Sequence, residues 1–137
     1  MSLRNDLAGV VARDPRYPIQ AYAFVLDALE YTKRAKRAQG RARGRGRASA
    51  YSHHVNGREL CEGARRLALE NYGLMAITVL ALWGIRSTSD IGEIVFNLIA
   101  SGDLEKTPND DRSDFNNVFD FETSFRRDYV LKLDEVA

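Results

Sequence analysis

The segment Lys33 to Arg47 reads KRAKRAQGRARGRGR, eight cations (Lys33, Arg34, Lys36, Arg37, Arg41, Arg43, Arg45 and Arg47) in fifteen residues with no acid among them. Alanine is the only apolar side chain in the run, so it cannot build a core, and its charges repel one another. Such a run can neutralise phosphates. Guanidinium forks grip phosphate oxygens and stack on unpaired bases, while glycine lets the backbone follow an irregular polyanion. These eight residues are the candidate nucleic-acid-binding set, with RNA the preferred partner. The first four also have a purely structural explanation, because cations in the last turn of a helix complement its dipole and Glu30 can pair with Arg34.

A second cluster lies at Asp90 and Glu93, two carboxylates three residues apart on one helix face. A desolvated pair of this kind can do acid/base work, although acids at a helix start are also explained by the dipole. With Phe96 and Asn97 they make an acidic, aromatic face on which a basic protein partner would dock. This is the alternative candidate site. His53, His54 and Cys61 raise the question of zinc, but adjacent histidines do not easily share one ion and a lone cysteine leaves the site short of ligands. Cys61 beside an apolar stripe reads as a small core residue. The acidic stretch Asn109 to Asp114 lacks the glycine a calcium loop needs at its sixth position and reads as a solvated turn. No metal or other cofactor is expected. No Ser/His/Asp or Cys/His trio has a motif around it and no glycine-rich loop is placed to cradle a phosphate, so a non-enzymatic role is expected.

The elements that position these residues follow from period and punctuation. At 137 residues, with 45 % apolar and 28 % charged side chains, the chain suits one soluble globular domain spanning 1–137. Net charge is +1, but residues 1–50 carry a balance of +7 and residues 51–137 a balance of −6. The single cysteine, the lack of a signal-peptide pattern and a longest apolar run (Leu74 to Trp83) about half the length of a membrane span predict a cytoplasmic protein. Residues 3–12 suit a short helix. Asp14-Pro15 and Tyr17-Pro18 break the chain, and Pro18 opens a helix with Ile19, Tyr22, Ala23, Leu26 and Leu29 inward. Glycines 40, 44 and 46 then predict a flexible Arg/Gly-rich loop at about 38–52.

Asn56 with Glu59 three residues on is a capping box, opening a helix over 57–72. A buried helix is predicted over 74–84. Ser87 to Asp90 is another capping signal, and Ile91, Ile94, Val95, Leu98 and Ile99 trace one face of a helix over 89–101 that Gly102 closes. Beyond Gly102 the period changes to two: Leu104 to Thr107 reads as a strand, and Phe115, Phe119 and Phe121 share one parity on a returning strand over 116–123. The tail Tyr129 to Leu133 fits either a strand or a helix. The expected fold class is therefore α+β, mostly helical, a helix bundle followed by a β-hairpin across 103–123 in winged-helix-like order. The surface a winged helix uses on DNA would carry Asp90 and Glu93, and the wing Asp110, Asp111 and Asp114, the wrong sign for phosphates. Leu67, Ile77, Leu80, Ile94, Leu98 and Phe119 are the expected core.

Several segments in combination resemble a family of small proteins from planctomycete and verrucomicrobial bacteria that has no assigned activity. They are Asp14-Pro15-Arg16-Tyr17, Ala21-Tyr22 with Phe24-Val25, His54-Val55 with Gly57, Glu59-Leu60 and Glu62-Gly63, Tyr72-Gly73 with Met75-Ala76, Trp83-Gly84-Ile85, Asp90 to Phe96, Lys106-Thr107, Asp114-Phe115 and Asp120-Phe121. The resemblance implies a bacterial cytoplasmic setting and designates no catalytic residue. The resulting expectation is a non-enzymatic, sequence-tolerant binder of RNA or another polyanion. The alternatives are a protein-interaction module using Asp90, Glu93, Phe96 and Asn97 and, more remotely, an enzyme using the 90–93 carboxylates.

Overall fold

The computed structural model describes residues 9–42, 54–108 and 110–126, without the side chains of residues 41 and 42. Helix α1 spans Ile19–Ala42, α2 Gly57–Tyr72, α3 Ala76–Leu82 and α4 Thr88–Ala100. Short 3-10 turns cover Gly73–Met75 and Arg112–Phe115, and residues 9–13 and 121–126 are also helical. The caps explain several of these limits. The Asn56 side chain accepts the Glu59 amide at 2.8 Å and Glu59 returns the bond to the Asn56 amide at 3.2 Å, which starts α2. Ser87 caps α4, and Gly102, at a φ of 86°, turns the chain out of it in a conformation only glycine adopts without strain.

The core forms where α1, α2 and α4 meet. It is built from Tyr22, Val25 and Ala28 of α1, Leu60, Cys61 and Ala64 of α2, and Ile91, Ile94 and Leu98 of α4. Small residues let the helices approach. At Gly63 a Cβ would overlap Thr32 Oγ1, and the Thr32 hydroxyl instead donates back to the Ala28 carbonyl at 2.7 Å. At Gly92 a Cβ would stand 2.7 Å from Phe115 Cβ, so the bare backbone there makes the seat into which Phe115 fits. Thr88, fully buried, donates to the Phe115 carbonyl at 2.6 Å and accepts the Val118 amide at 3.2 Å, pinning the C-terminal segment to the start of α4.

The expected β-hairpin is not there, and with it go the α+β class and the winged-helix-like order. The described residues contain no β-strand and are mostly helical. Residues 105–107 are irregular, Arg112–Phe115 is a 3-10 turn, and 121–126 is helical. The alternation of Phe115, Phe119 and Phe121 imitates a strand, but Phe121 and Phe125 are a helical i, i+4 pair, packed edge to face with ring centroids 5.3 Å apart. Asp120 caps that turn by accepting the Thr123 amide at 3.0 Å, and this bond lowers the Asp120 pKa.

Two further expectations are corrected. The apolar run 74–84 is not a buried helix: α3 buries Ala76 and Leu80, while Leu74 and Leu82 are 71 % and 77 % exposed. Helix α1 also continues through Ala42, so residues 38–42 belong to it rather than to the expected loop. Of the six expected core residues, Leu80, Ile94 and Leu98 are buried, and Leu67, Ile77 and Phe119 pack against the core with part of their surface exposed. The expected helix start at 3–8, most of the loop with His53, Asn109, and the tail 129–133 lie outside the described residues.

Candidate functional site

The cations of the basic run divide by what surrounds them. Thr32 is buried, and none from Lys33 to Gly40 is. Lys36 is drawn inward: its ammonium donates to the His54 carbonyl at 2.5 Å and to Glu59 Oε1 at 3.0 Å, tying α1 to the cap of α2. Lys33 pairs with Glu30 at 4.0 Å, the partner expected for Arg34. Arg34 and Arg37 are exposed, three residues apart on one face of α1, and no acid among the described residues pairs with either. Arg41 lies one turn beyond Arg37 on the same helix, while Arg43, Arg45 and Arg47 lie outside the described residues.

The face of α4 carrying Asp90, Glu93, Phe96 and Asn97 is brought together as expected, but the chain itself covers it. Tyr17 donates its hydroxyl to Asp90 Oδ1 at 2.7 Å. Burial, and then that bond, push the phenol pKa up. Asn97 donates to Asp14 Oδ2 at 2.9 Å and to the Tyr22 hydroxyl at 3.1 Å. Glu93 accepts from Arg16 at 3.2 Å and from Arg112 at 3.1 Å. The Arg112 guanidinium also lies 5.1 Å above the Phe96 ring, whose edge-to-face neighbour is Phe115. The Arg16 guanidinium, donating to both Asp14 oxygens, holds that carboxyl down to about 2. Sequence reasoning read residues 14–18 as a chain break, with Asp14 to Tyr17 also one of the segments that carry the family resemblance. Nothing in their spacing marks Asp14, Arg16 and Tyr17 as the partners of α4.

His54 and Cys61 do not share a site. His54 Nε2 lies 3.3 Å from Asp110 Oδ1, whereas Cys61 is fully buried and its thiol is pushed up to about 12 by burial. Among the described residues no three His, Cys, Asp or Glu side chains gather as a metal site. The acids of the 110–114 turn serve the backbone instead: Asp110 accepts the Thr107 amide and Asp111 the Ser113 amide, while Asp114 accepts the Asp111 amide.

No described helix is long and apolar enough to cross a membrane. Comparison of the chain with protein-family models, with curated proteins and with solved structures finds no match in any of the three.

Proposed function

We propose that the chain is a non-enzymatic, sequence-tolerant nucleic-acid-binding protein, acting on RNA, with the end of α1 and the arginines that follow it as the binding surface. The observation that carries this reading is the helical extension itself. From Thr32 to Ala42, α1 runs on for roughly 15 Å at 1.5 Å per residue with no buried residue among Lys33–Gly40. Arg34 and Arg37 stand exposed on it without an acidic partner among the described residues. Three more arginines follow within five residues of Ala42. A stiff cationic arm leading into an arginine- and glycine-rich segment suits contacts to phosphates, which set affinity without reading sequence.

Lys36 is engaged with Glu59, so the phosphate-contacting set is Arg34, Arg37, Arg41, Arg43, Arg45 and Arg47. With five or six of these contacts on a single strand, at roughly −0.7 each, the log–log salt slope of affinity is about −4. Raising salt from about 50 to 200 mM then weakens binding a few hundred-fold, with little difference between strand sequences. Fluorescence anisotropy with short labelled strands measures this, and replacing Arg41, Arg43, Arg45 and Arg47 by serine should remove most of the slope. A flat salt response, or no binding at low salt, overturns the proposal. The protein-docking alternative has no observation in its favour, because Asp90, Glu93, Phe96 and Asn97 all have partners within the chain. Kinship with the planctomycete and verrucomicrobial family, and the cytoplasmic setting it implies, are proposed on the motif residues given above.

A further inference from the structure

A cleft of about 340 Å³ opens where the middle of α1, the start of α2, the second half of α4 and residues 103–105 and 110–115 come together. Its walls are apolar, with Leu29 from α1, Leu60 from α2, Val95 from α4 and Leu104 from the segment beyond it. Its rim is acidic: Asp103, Glu105, Asp110 and Asp114 line it beside two basic side chains, Lys33 and His54. We infer that this cleft is a binding site for a small amphipathic amine, with an aryl or alkyl body against the apolar walls and an ammonium group at the carboxylate rim.

The volume is in the lower part of the range of small-molecule sites, which pair mostly apolar walls with a few convergent polar groups. The charge pattern selects the ligand. Both basic groups already have an acid of their own, Lys33 facing Glu30 at 4.0 Å and His54 facing Asp110 at 3.3 Å. Among the described residues Asp103 accepts only a neutral hydroxyl, from Ser101, and Asp114 only a backbone amide. Glu105 is exposed and has no partner among the described residues. Among the described residues Asp103, Glu105 and Asp114 therefore carry negative charge without a paired cation, beside low-dielectric walls that strengthen their attraction for an ammonium. A phosphate would be repelled here, so the cleft is separate from the nucleic-acid surface proposed on α1 and does not depend on it.

A charge series with one apolar body tests this. The full chain is titrated with 4-phenylbutylamine, 4-phenylbutan-1-ol and 4-phenylbutyrate while the amide resonances of Val95, Ile99 and Leu104 are followed by NMR. The amine should shift those resonances saturably and bind about tenfold more tightly than the alcohol, the gain expected of one charge-assisted contact. The carboxylate should bind weakest. Combining Asp103→Asn with Glu105→Gln should lower the amine's affinity about tenfold and leave the alcohol's unchanged. Glu105→Gln alone, at an exposed position, gives the same direction should the double variant fold poorly. Equal affinity for amine and alcohol, preference for the carboxylate, or no shift at these amides overturns the inference. So does a GRARGRGR peptide that occupies the cleft more tightly than the amine, because the ligand would then be a peptide.

Discussion

Asp14 accepts from Arg16 and Asn97, and its carboxyl sits at about 2 rather than the ordinary 3.8. A carboxyl with a folded pKa below its unfolded value stabilises the fold fully above the unfolded value, and that stabilisation is lost as pH falls through the folded value. The window here is therefore about pH 4 down to about pH 2. Asp14→Asn should lower stability at pH 7 by no more than about 1 kcal/mol, because the Arg16 partner is largely exposed and screened. The gap should close as pH approaches 2. Thermal unfolding of both proteins across that range is the check, and a gap independent of pH would mean the charge is not what matters. Leu98 is a residue of the opposite kind, fully buried with no polar role for its side chain. Leu98→Ala should cost about 2–5 kcal/mol through lost burial and the cavity left behind, measured by chemical denaturation.

At the scale of elements, two helical glycines predict opposite outcomes for the same substitution. Gly92 of α4 gives Phe115 its seat, so Gly92→Ala forces the ring away and should destabilise by about 1–3 kcal/mol. Gly40 of α1 has nothing within 4 Å of where a Cβ would stand. Gly40→Ala should therefore stabilise by up to about 1 kcal/mol, the helix-propensity difference between the two residues. Paired melting curves decide this, and a loss of stability in Gly40→Ala would mean that the end of α1 is not helical in solution. The caps act at the same scale. The reciprocal bonds of Asn56 and Glu59 start α2, and because Glu59 also receives Lys36, the same cap fastens the beginning of the basic run to the body.

For the whole molecule, the proposed function separates neighbouring cations of the basic run, and the separation can be measured. Arg34→Ser with Arg37→Ser should leave the melting temperature unchanged and reduce the salt slope of strand binding by about 1.4, two contacts' worth. Lys36→Ala should do the reverse. It should lower stability by about 1–2 kcal/mol through the lost bonds to Glu59 and the His54 carbonyl, with little effect on the slope. Anisotropy titrations and melting curves on the same preparations distinguish the two patterns. If Lys36→Ala removed as much slope as the arginine pair, the division of the run into a structural lysine and binding arginines would be wrong.

The features legible in the chain were those settled within a turn or two of backbone. The limits of α2 follow from the Asn56–Glu59 box and Gly73, and the stripe of α4 from apolar spacing between Ser87 and Gly102. Capping bonds and helical period involve residues three or four apart, so sequence order is enough to find them. The same kind of signal, Asp120 ahead of the Phe121–Phe125 pair, was present for the helical residues 121–126 but was hidden by the coincident parity of three phenylalanines. Which helix faces are covered is a different kind of question. Asp90 is met by Tyr17 and Glu93 by Arg16, from segments more than seventy residues away in the chain. The cleft likewise draws its walls from four separate segments. Spacing along the chain determines which side chains share a helix face. Only the packing of distant segments decides whether that face meets solvent, a partner or the rest of the same chain.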